Sequence, residues 1–302
     1  MSETAFVRWR DLPRGRQLVG GAPMCAGCSG LEVLHQVLDV LGEKTVIINS
    51  AGCMSLLVSY PYSPLRGSWL YTAMASAAAG AQGMRDALDL RLAQGMPAED
   101  DLQVMVLSGD GAAYGMGLSP ASGAIERGLD FIYLVYDNEG YGNTGQQQSD
   151  ATPHGAHTAS CGSYRGWKKD LFAIWVAHRP AYAATLIGSE PLDLARKVDK
   201  AARLKGPRLL LALAPCPTGW DFDASATVEV GHLAVKTGIW PLKEYVDGRI
   251  THTKVPRERL PVEDYLVRQG RFRHLFEPRR DEARLGEVQA AVDAYWAELP
   301  GG

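Results

Sequence analysis

Four of the five cysteines in this chain have the surroundings of metal ligands. Cys25 and Cys28 form a Cys-Ala-Gly-Cys pair, Cys53 lies in Ser-Ala-Gly-Cys-Met, and Cys216 lies in Ala-Pro-Cys-Pro-Thr. Glycine and proline beside each cysteine favour tight turns that can point several sulfur atoms at one centre. Four thiolates in the order CxxC…C…C suit a 4Fe-4S cluster, an electron carrier. A CxxC pair by itself also occurs in thioredoxin-like sites, zinc half-sites and structural cores.

The fifth cysteine, Cys161, lies in Ala-Ser-Cys-Gly and has no such surroundings. We predict that it is not a ligand but a small buried residue, with a place near the active site as the alternative.

A second group of residues has the chemistry of a diphosphate site. Gly109, Asp110 and Gly111 follow a buried strand at 102–107 and precede a predicted helix. Glycines let the backbone approach phosphates, and a helix N-terminus offers free N–H groups. A carboxylate would repel a bare diphosphate, but a shared Mg²⁺ removes that objection. The alternative is a surface turn before a helix.

A further ligand is expected at the end of the next strand. Asn138 follows the strand at 131–136, and 26 residues separate it from Gly111. A Gly-Asp-Gly followed at this distance by Asn resembles the thiamine pyrophosphate (TPP) fingerprint. We therefore assign Asp110, the Asn138 side chain and the Gly140 carbonyl to Mg²⁺.

Strands that alternate with helices must position these residues. The fold class predicted is α/β, a parallel sheet with helices on both faces, plus an extended C-terminal arm. Ligands on such a sheet bind at the carboxyl ends of the strands. Strands are predicted at 45–49, 102–107, 131–136, 183–187 and 208–213, and helices at 31–41, 69–92, 121–127, 191–204 and 280–299.

Two regions interrupt this alternation. Residues 139–166 lack periodicity, which in a compact domain indicates a functional or disordered loop. After Trp220 the alternation stops. We therefore predict a TPP-binding domain with the cluster over 1–220, and an extended arm and helix over 221–302.

Composition excludes several classes of function. The 302 residues are 46% hydrophobic and 22% charged with a net charge of −3, which gives no reason to expect nucleic-acid binding. No apolar run spans a bilayer, and the N-terminus, with Glu3 and no apolar region, does not resemble a secretion signal. An odd number of cysteines, including a CxxC pair, fits a reducing cytoplasm.

Together these motifs resemble a known family, the beta (TPP-binding) subunit of 2-oxoacid:ferredoxin oxidoreductases, closest to the pyruvate type. The likeness covers nearly the whole chain and extends into the arm. The residues that carry it are Cys25-Ala-Gly-Cys28, Ser50-Ala-Gly-Cys53, Gly109-Asp-Gly111, Tyr136-Asp-Asn-Glu-Gly-Tyr-Gly-Asn-Thr-Gly145, Ala151-Thr-Pro153, Ala214-Pro-Cys-Pro-Thr-Gly-Trp220, Gly238-Ile-Trp-Pro-Leu242, Pro261-Val-Glu-Asp-Tyr265 and Gln269-Gly-Arg-Phe-Arg-His-Leu275.

The resemblance implies oxidative decarboxylation of a 2-oxoacid with coenzyme A to an acyl-CoA and CO2, with TPP as electron sink. It implies 4Fe-4S ligation by Cys25, Cys28, Cys53 and Cys216, and it gives Cys53 and Asn143 catalytic positions beside the thiazolium. The residues it implies for the TPP and Mg²⁺ site are Gly52, Cys53, Gly109, Asp110, Gly111, Ala112, Asn138, Gly140, Tyr141, Asn143 and Thr144.

The resemblance also implies partner subunits, on which we expect the arm and helix over 221–302 to pack. An alpha subunit supplies the glutamate that activates the aminopyrimidine and most substrate contacts, so the chain alone would be inactive. Gamma and ferredoxin-like delta-type subunits carry the electrons onward to ferredoxin or another acceptor.

One segment departs from the pyruvate pattern. Gln146-Gln-Gln-Ser-Asp150 replaces a shorter Gln-Arg-Ser or Gln-Ser-Ser run, and His154 and His157 follow. Ordinary loop variation is the simpler interpretation; a pocket for phenylglyoxylate or a branched 2-oxoacid is the other. A non-redox TPP decarboxylase or lyase, with incidental cysteines, is the alternative from another class. Lys168 and Lys169 are predicted to lie in a solvated turn or to contact coenzyme A or a partner.

Overall fold

Parallel strands form the centre of the fold. The computed structural model describes residues 6–15, 17–59 and 61–298. Within them one sheet has the order β2-β1-β3-β4-β6-β5-β7-β8. The strands are β1 (Thr45–Ser50), β2 (Ser68–Thr72), β3 (Gln103–Gly109), β4 (Phe131–Asp137), β5 (Tyr182–Ile187), β6 (Pro207–Leu213), β7 (Leu242–Val246) and β8 (Arg249–Lys254).

The first six strands are parallel, and the last two are antiparallel to their neighbours. Every residue of β1, β4, β5 and β6 is buried. Continuous apolar strands are expected where helices cover both faces of a parallel sheet. The predicted α/β class is therefore confirmed, with an antiparallel edge added.

Helices cover both faces of this sheet. They are α1 (Ser29–Leu41), α2 (Ala77–Ala93), α3 (Leu118–Glu126), α4 (Leu171–Ala177), α5 (Pro191–Arg203), α6 (Pro217–Trp220), α7 (Thr227–Lys236), α8 (Val262–Leu266) and α9 (Glu282–Ala297). The apolar residues of α1 and α5 pack on one face. Those of α2, α3, α4, α7, α8 and α9 pack on the other. No helix within the described ranges is long and apolar enough to cross a bilayer.

The predicted helix at 69–92 is wrong in its first turns. Residues Ser68–Thr72 form β2, which pairs in parallel with β1, and the helix begins at Ala77. The stretch Trp-Leu-Tyr-Thr favours a strand because aromatic and β-branched side chains pack well on a pleated surface. The alanine-rich sequence that follows has a helical pattern, so the boundary between the strand and the helix was not visible in the sequence.

The C-terminal segment folds back onto the sheet. Strands β7 and β8 extend the sheet beyond β5, and Val288, Val292 and Trp296 of α9 join the core over one face. The predicted terminal helix is confirmed over Glu282–Ala297; its last predicted residue, like Met1–Ala5 of the N-terminus, lies outside the described residues. The boundary at residue 220 and the contact with partner subunits stay predictions.

Candidate functional site

The carboxyl ends of four neighbouring strands carry the predicted site residues. Cys53 follows β1, Asp110 follows β3, Asn138 follows β4 and Cys216 follows β6. These strands are adjacent in the order β1-β3-β4-β6. Because parallel strands end at the same edge of the sheet, these four residues lie along one edge.

The turn after β3 is built around glycine. Gly109 ends the strand, and Asp110 precedes a π-helical turn, Gly111–Met116, in which Ala112 is buried. A Cβ on Gly111 would lie 2.1 Å from the ring of Tyr141. Glycine is required at Gly111 because the Tyr141 ring packs against it, a reason that the sequence alone did not provide.

The Asn138 side-chain amide lies between two acceptors. One of its terminal atoms is 2.7 Å from Asp110 Oδ1 and 2.9 Å from the Gly140 carbonyl oxygen, and as Nδ2 that atom donates a hydrogen bond to both. Asp110 is 1% exposed and Asn138 is 7% exposed. Burial, and then the charge of Asp137, raises the pKa of Asp110 well above its usual range. If the Asn138 amide is turned the other way, its oxygen lies beside the same two acceptors, and the three oxygens could then share a cation.

Residues that sequence analysis missed surround these oxygens. Ser149 donates a hydrogen bond to Asp110 Oδ2 at 2.5 Å, and Tyr114 donates one to Asp137 Oδ2 at 2.5 Å. Lys168 forms ion pairs with Asp137 at 2.6 Å and Glu139 at 2.8 Å. The expectation of a solvated turn at Lys168 is therefore wrong. Buried strand-end carboxylates in the sequence were the available signal, because they require a cation.

Glu139 is fixed between two cations. Its carboxylate also pairs with Arg271 at 2.6 Å. Burial favours the neutral acid, but the charges of Lys168 and Arg271 outweigh it and hold the pKa of Glu139 below its usual range. Glu139 is thus an ionised structural residue of the site.

The four predicted cluster cysteines are electrostatic neighbours. Burial raises the pKa of Cys28 to about 11, with added contributions from Cys216 and Cys25. Burial, and then the charges of Cys216, Cys28 and Cys25, raise the pKa of Cys53 to about 12. Cys161 does not take part in either shift. Among the described residues, no three His, Cys, Asp or Glu side chains already stand at coordinating positions.

Backbone N–H groups point at these sulfur atoms. Gly219 N lies 3.3 Å from Cys216 Sγ, where the turn of α6 begins. The N–H groups of Leu31 and Gly30, at the start of α1, lower the pKa of Cys28 against its burial. Such donors stabilise anionic sulfur, which is the form that binds iron.

Cys53 adjoins the loop after β4. A Cβ on Gly142 would lie 3.5 Å from Cys53 Sγ and 2.7 Å from Asn138 Nδ2. A Cβ on Gly52 would lie 2.7 Å from the Tyr136 hydroxyl, so the turn before Cys53 packs on the end of β4. The structure thus brings one cysteine next to the Asn138 loop.

Asn143 and Thr144 are exposed on a short turn of that loop, Gly142–Thr144. The Thr144 hydroxyl donates to Gln147 Oε1 at 2.5 Å, and Gln147 Nε2 donates back to the Thr144 carbonyl at 2.9 Å. These two hydrogen bonds within the loop hold the turn, and the Asn143 side chain is exposed on it.

A cavity of about 360 Å³ lies under α9. Phe172, Leu213 and Val292 line it, and Glu139 and Lys168 form part of its wall. Asp110 and Asn138 do not line it. The cavity nevertheless shares Glu139 and Lys168 with the strand-end site.

Comparisons with known proteins agree with this geometry. Residues 50–212 match the family described as thiamine pyrophosphate enzyme, C-terminal TPP binding domain. The chain is 39% identical over 284 residues to pyruvate synthase subunit PorB of Methanosarcina barkeri, covering 91% of this chain and 94% of that one. It is 37% identical over 273 residues to ketoisovalerate oxidoreductase subunit VorB of Pyrococcus abyssi, covering 87% and 88%.

A solved structure has the same fold. The 2-oxoglutarate:ferredoxin oxidoreductase from Magnetococcus marinus aligns with a TM-score of 0.58 and 19% identity, covering 76% of this chain and 83% of that chain. Fold, motifs and curated relatives therefore agree. The chain belongs to the family of TPP-binding beta subunits of 2-oxoacid:ferredoxin oxidoreductases.

Proposed function

We propose that this chain is the TPP- and 4Fe-4S-binding subunit of a CoA-acylating 2-oxoacid oxidoreductase. The reaction is RCOCOO⁻ + HSCoA → RCOSCoA + CO2 + H⁺ + 2e⁻. The bond between the two carbonyl carbons breaks, and a thioester bond forms. When bound, TPP supplies the electron sink for decarboxylation and the cluster accepts electrons one at a time.

The convergence of Asp110, Asn138 and Gly140 is the observation that carries this proposal. Mg²⁺ binds oxygen at about 2.05 Å in an octahedron, so neighbouring ligand oxygens lie roughly 2.9 Å apart. With the amide oxygen of Asn138 turned toward Asp110 and Gly140, the separations of 2.7 and 2.9 Å would suit neighbouring ligands of one such ion. An ion there would also offset the burial that disfavours the Asp110 carboxylate. These residues would hold Mg²⁺, and the diphosphate of TPP would complete its coordination.

The cysteine surroundings fit a cluster. Bare thiolates at Cys28, Cys53 and Cys216 are disfavoured by burial and by one another. Iron removes that cost because it binds the anionic form. Donors such as Gly219 N–H are ready for the sulfur atoms. We therefore assign Cys25, Cys28, Cys53 and Cys216 to the cluster and leave Cys161 out.

The chain's own glutamate at the site is not available for cofactor activation. Glu139 is 6% exposed, and its two oxygens are taken by Lys168 and Arg271. This supports an alpha subunit as the source of the activating glutamate and of most substrate contacts. Gamma and delta-type subunits and a ferredoxin then complete the proposed complex.

Pyruvate is the substrate that we favour. Relatives named pyruvate synthase share 36–41% identity with the chain, and those named ketoisovalerate oxidoreductase share 36–37%. His154 bonds to Glu287 at 2.9 Å and stacks on Trp167 at 4.5 Å. It therefore faces the C-terminal helix and gives no support to a phenylglyoxylate pocket.

The test is an anaerobic assay of the purified complex with its partner subunits. Pyruvate, 2-oxoisovalerate and phenylglyoxylate are compared with coenzyme A and methyl viologen. We expect CoA-dependent viologen reduction, fastest with pyruvate, by a brown preparation. A colourless, zinc-containing preparation that releases CO2 and aldehyde without reducing viologen would instead establish the non-redox decarboxylase.

A further inference from the structure

We infer that Arg271 raises the reduction potential of the cluster by placing a buried positive charge against the turn that carries Cys216. This inference rests on the proposed function. It concerns a residue in the C-terminal segment, far in sequence from the cysteines.

The first step is the position of the guanidinium. Arg271 lies in a short 3-10 turn, Gly270–Leu275, and its Cζ lies 3.8 Å from the centroid of the Trp220 ring. Trp220 ends α6, the turn that begins at Cys216, and the Trp220 N–H donates to the Cys216 carbonyl at 2.8 Å. Arg271 therefore packs directly on the segment that holds one predicted ligand.

The second step is the incomplete pairing of this cation. Arg271 is 5% exposed. Its Nε donates to Gln269 at 2.9 Å and its Nη2 to Glu139 at 2.6 Å. Its Nη1 is buried and has no partner within the described part of the chain. A buried guanidinium with an unused N–H is costly unless an acceptor group belongs beside it.

The third step is the sharing of the counter-charge. The carboxylate of Glu139 divides its pairing between Arg271 and Lys168, and Lys168 also pairs with Asp137. Arg271 therefore pairs with one oxygen of a shared carboxylate, while its buried Nη1 stays unused among the described residues.

The consequence is electrostatic. Reduction adds one electron to the cluster, and a fixed positive charge in a poorly solvated site stabilises the added electron. Arg271 is also linked to the loop that carries Asn138. The Trp220 ring on which it stacks donates from Nε1 to the Asn138 carbonyl at 2.8 Å. Arg271 is accordingly a positioning residue, with no contact to the reacting atoms required.

The experiment is a redox titration of the anaerobic complex, followed by electron paramagnetic resonance of the reduced cluster. Arg271→Gln should lower the midpoint potential by about 59 mV, a tenfold loss in the one-electron equilibrium. Arg271→Lys, which keeps the charge, should stay near the wild-type value. Arg273→Gln is the matched control, because Arg273 lies on the same turn with a side chain 67% exposed, and it should leave the potential unchanged.

Three results distinguish the possibilities. A wild-type complex without a cluster signal would overturn the proposed function itself. A wild-type cluster whose potential is the same in Arg271→Gln would overturn this inference alone. If Arg271→Gln does not assemble, the neutral variant Arg271→Met, which keeps an unbranched side chain against Trp220, should still show a lowered potential, and an unshifted value there would also overturn it.

Discussion

The side-chain amide of Asn138 lies 2.7 Å from Asp110 Oδ1. At this distance the amide either donates its N–H to the carboxylate or presents its oxygen, with a cation shared between the two groups. The strands that carry them are neighbours in the sheet, so the contact is fixed by backbone pairing. The relationship makes the Mg²⁺ assignment open to direct test.

Replacing Asp110 should remove Mg²⁺-dependent TPP binding. Asp110→Asn removes the one carboxylate among the three proposed protein ligands. We therefore expect TPP affinity to fall by more than the roughly 10- to 100-fold that is typical when a residue behind a metal ligand is changed. Titration calorimetry with and without Mg²⁺ measures it. Asp150→Asn is the control, because Asp150 is exposed and pairs with Lys169. Unchanged binding by Asp110→Asn would favour the rotated amide of Asn138 and exclude the ion.

The cysteines can be sorted by iron content. Cys216→Ala should lose the cluster, because it removes a thiolate and the sulfur that accepts the Gly219 N–H. Cys161→Ala should keep the iron content and visible absorption of the wild type. Loss of iron from the Cys161 variant, or its retention in the Cys216 variant, would contradict the ligand set.

Gly27 shapes the turn between Cys25 and Cys28. It has φ +69°, and a Cβ there would lie 2.4 Å from the Ala224 carbonyl oxygen. Gly128 has φ +68° but open space around it. Gly128→Ala should cost about 1–2 kcal/mol from backbone strain, while Gly27→Ala should cost more and lower the iron content. Urea unfolding and iron analysis compare the two, and equal costs would show that the contact with Ala224 is unimportant.

A buried ion pair ties β6 to the start of β4. Arg208 is fully buried and pairs with Asp130 at 2.6 Å. Asp130→Ala leaves that charge unpaired and should destabilise the fold by about 3–5 kcal/mol in urea unfolding. Lys205 also pairs with Asp130, at 2.9 Å, but its side chain is 76% exposed. Lys205→Ala should therefore cost at most about 1 kcal/mol; a similar loss in both variants would refute the burial argument.

His154 separates the two interpretations of the substrate. Because it bonds to Glu287 and stacks on Trp167, His154→Gln should weaken the contact between the long loop and α9. The ratio of kcat/KM for pyruvate to that for phenylglyoxylate should stay the same. A changed ratio would instead support the interpretation that His154 belongs to the substrate pocket.

Several features could be predicted from the sequence because they are local. The central strands appear as buried apolar runs, and Cys53, Asp110, Asn138 and Cys216 each follow one of them. The motif spacing was enough to identify the family. Strand β2 was missed because its pairing with β1 is long-range, and the adjoining alanine-rich helix carried the stronger periodicity.

The sequence by itself determined the parallel α/β core and the residues that we propose as ligands of metal and cofactor. Only the tertiary structure showed which cations pair with the buried carboxylate of Glu139 beside these residues. Lys168 and Arg271 reach Glu139 from a loop and from the C-terminal segment, and Arg271 rests on Trp220 beside Cys216. These contacts form because a buried charge is stable only when it is paired. The spacing of residues in the sequence does not show which distant segments fold together to make such a pair.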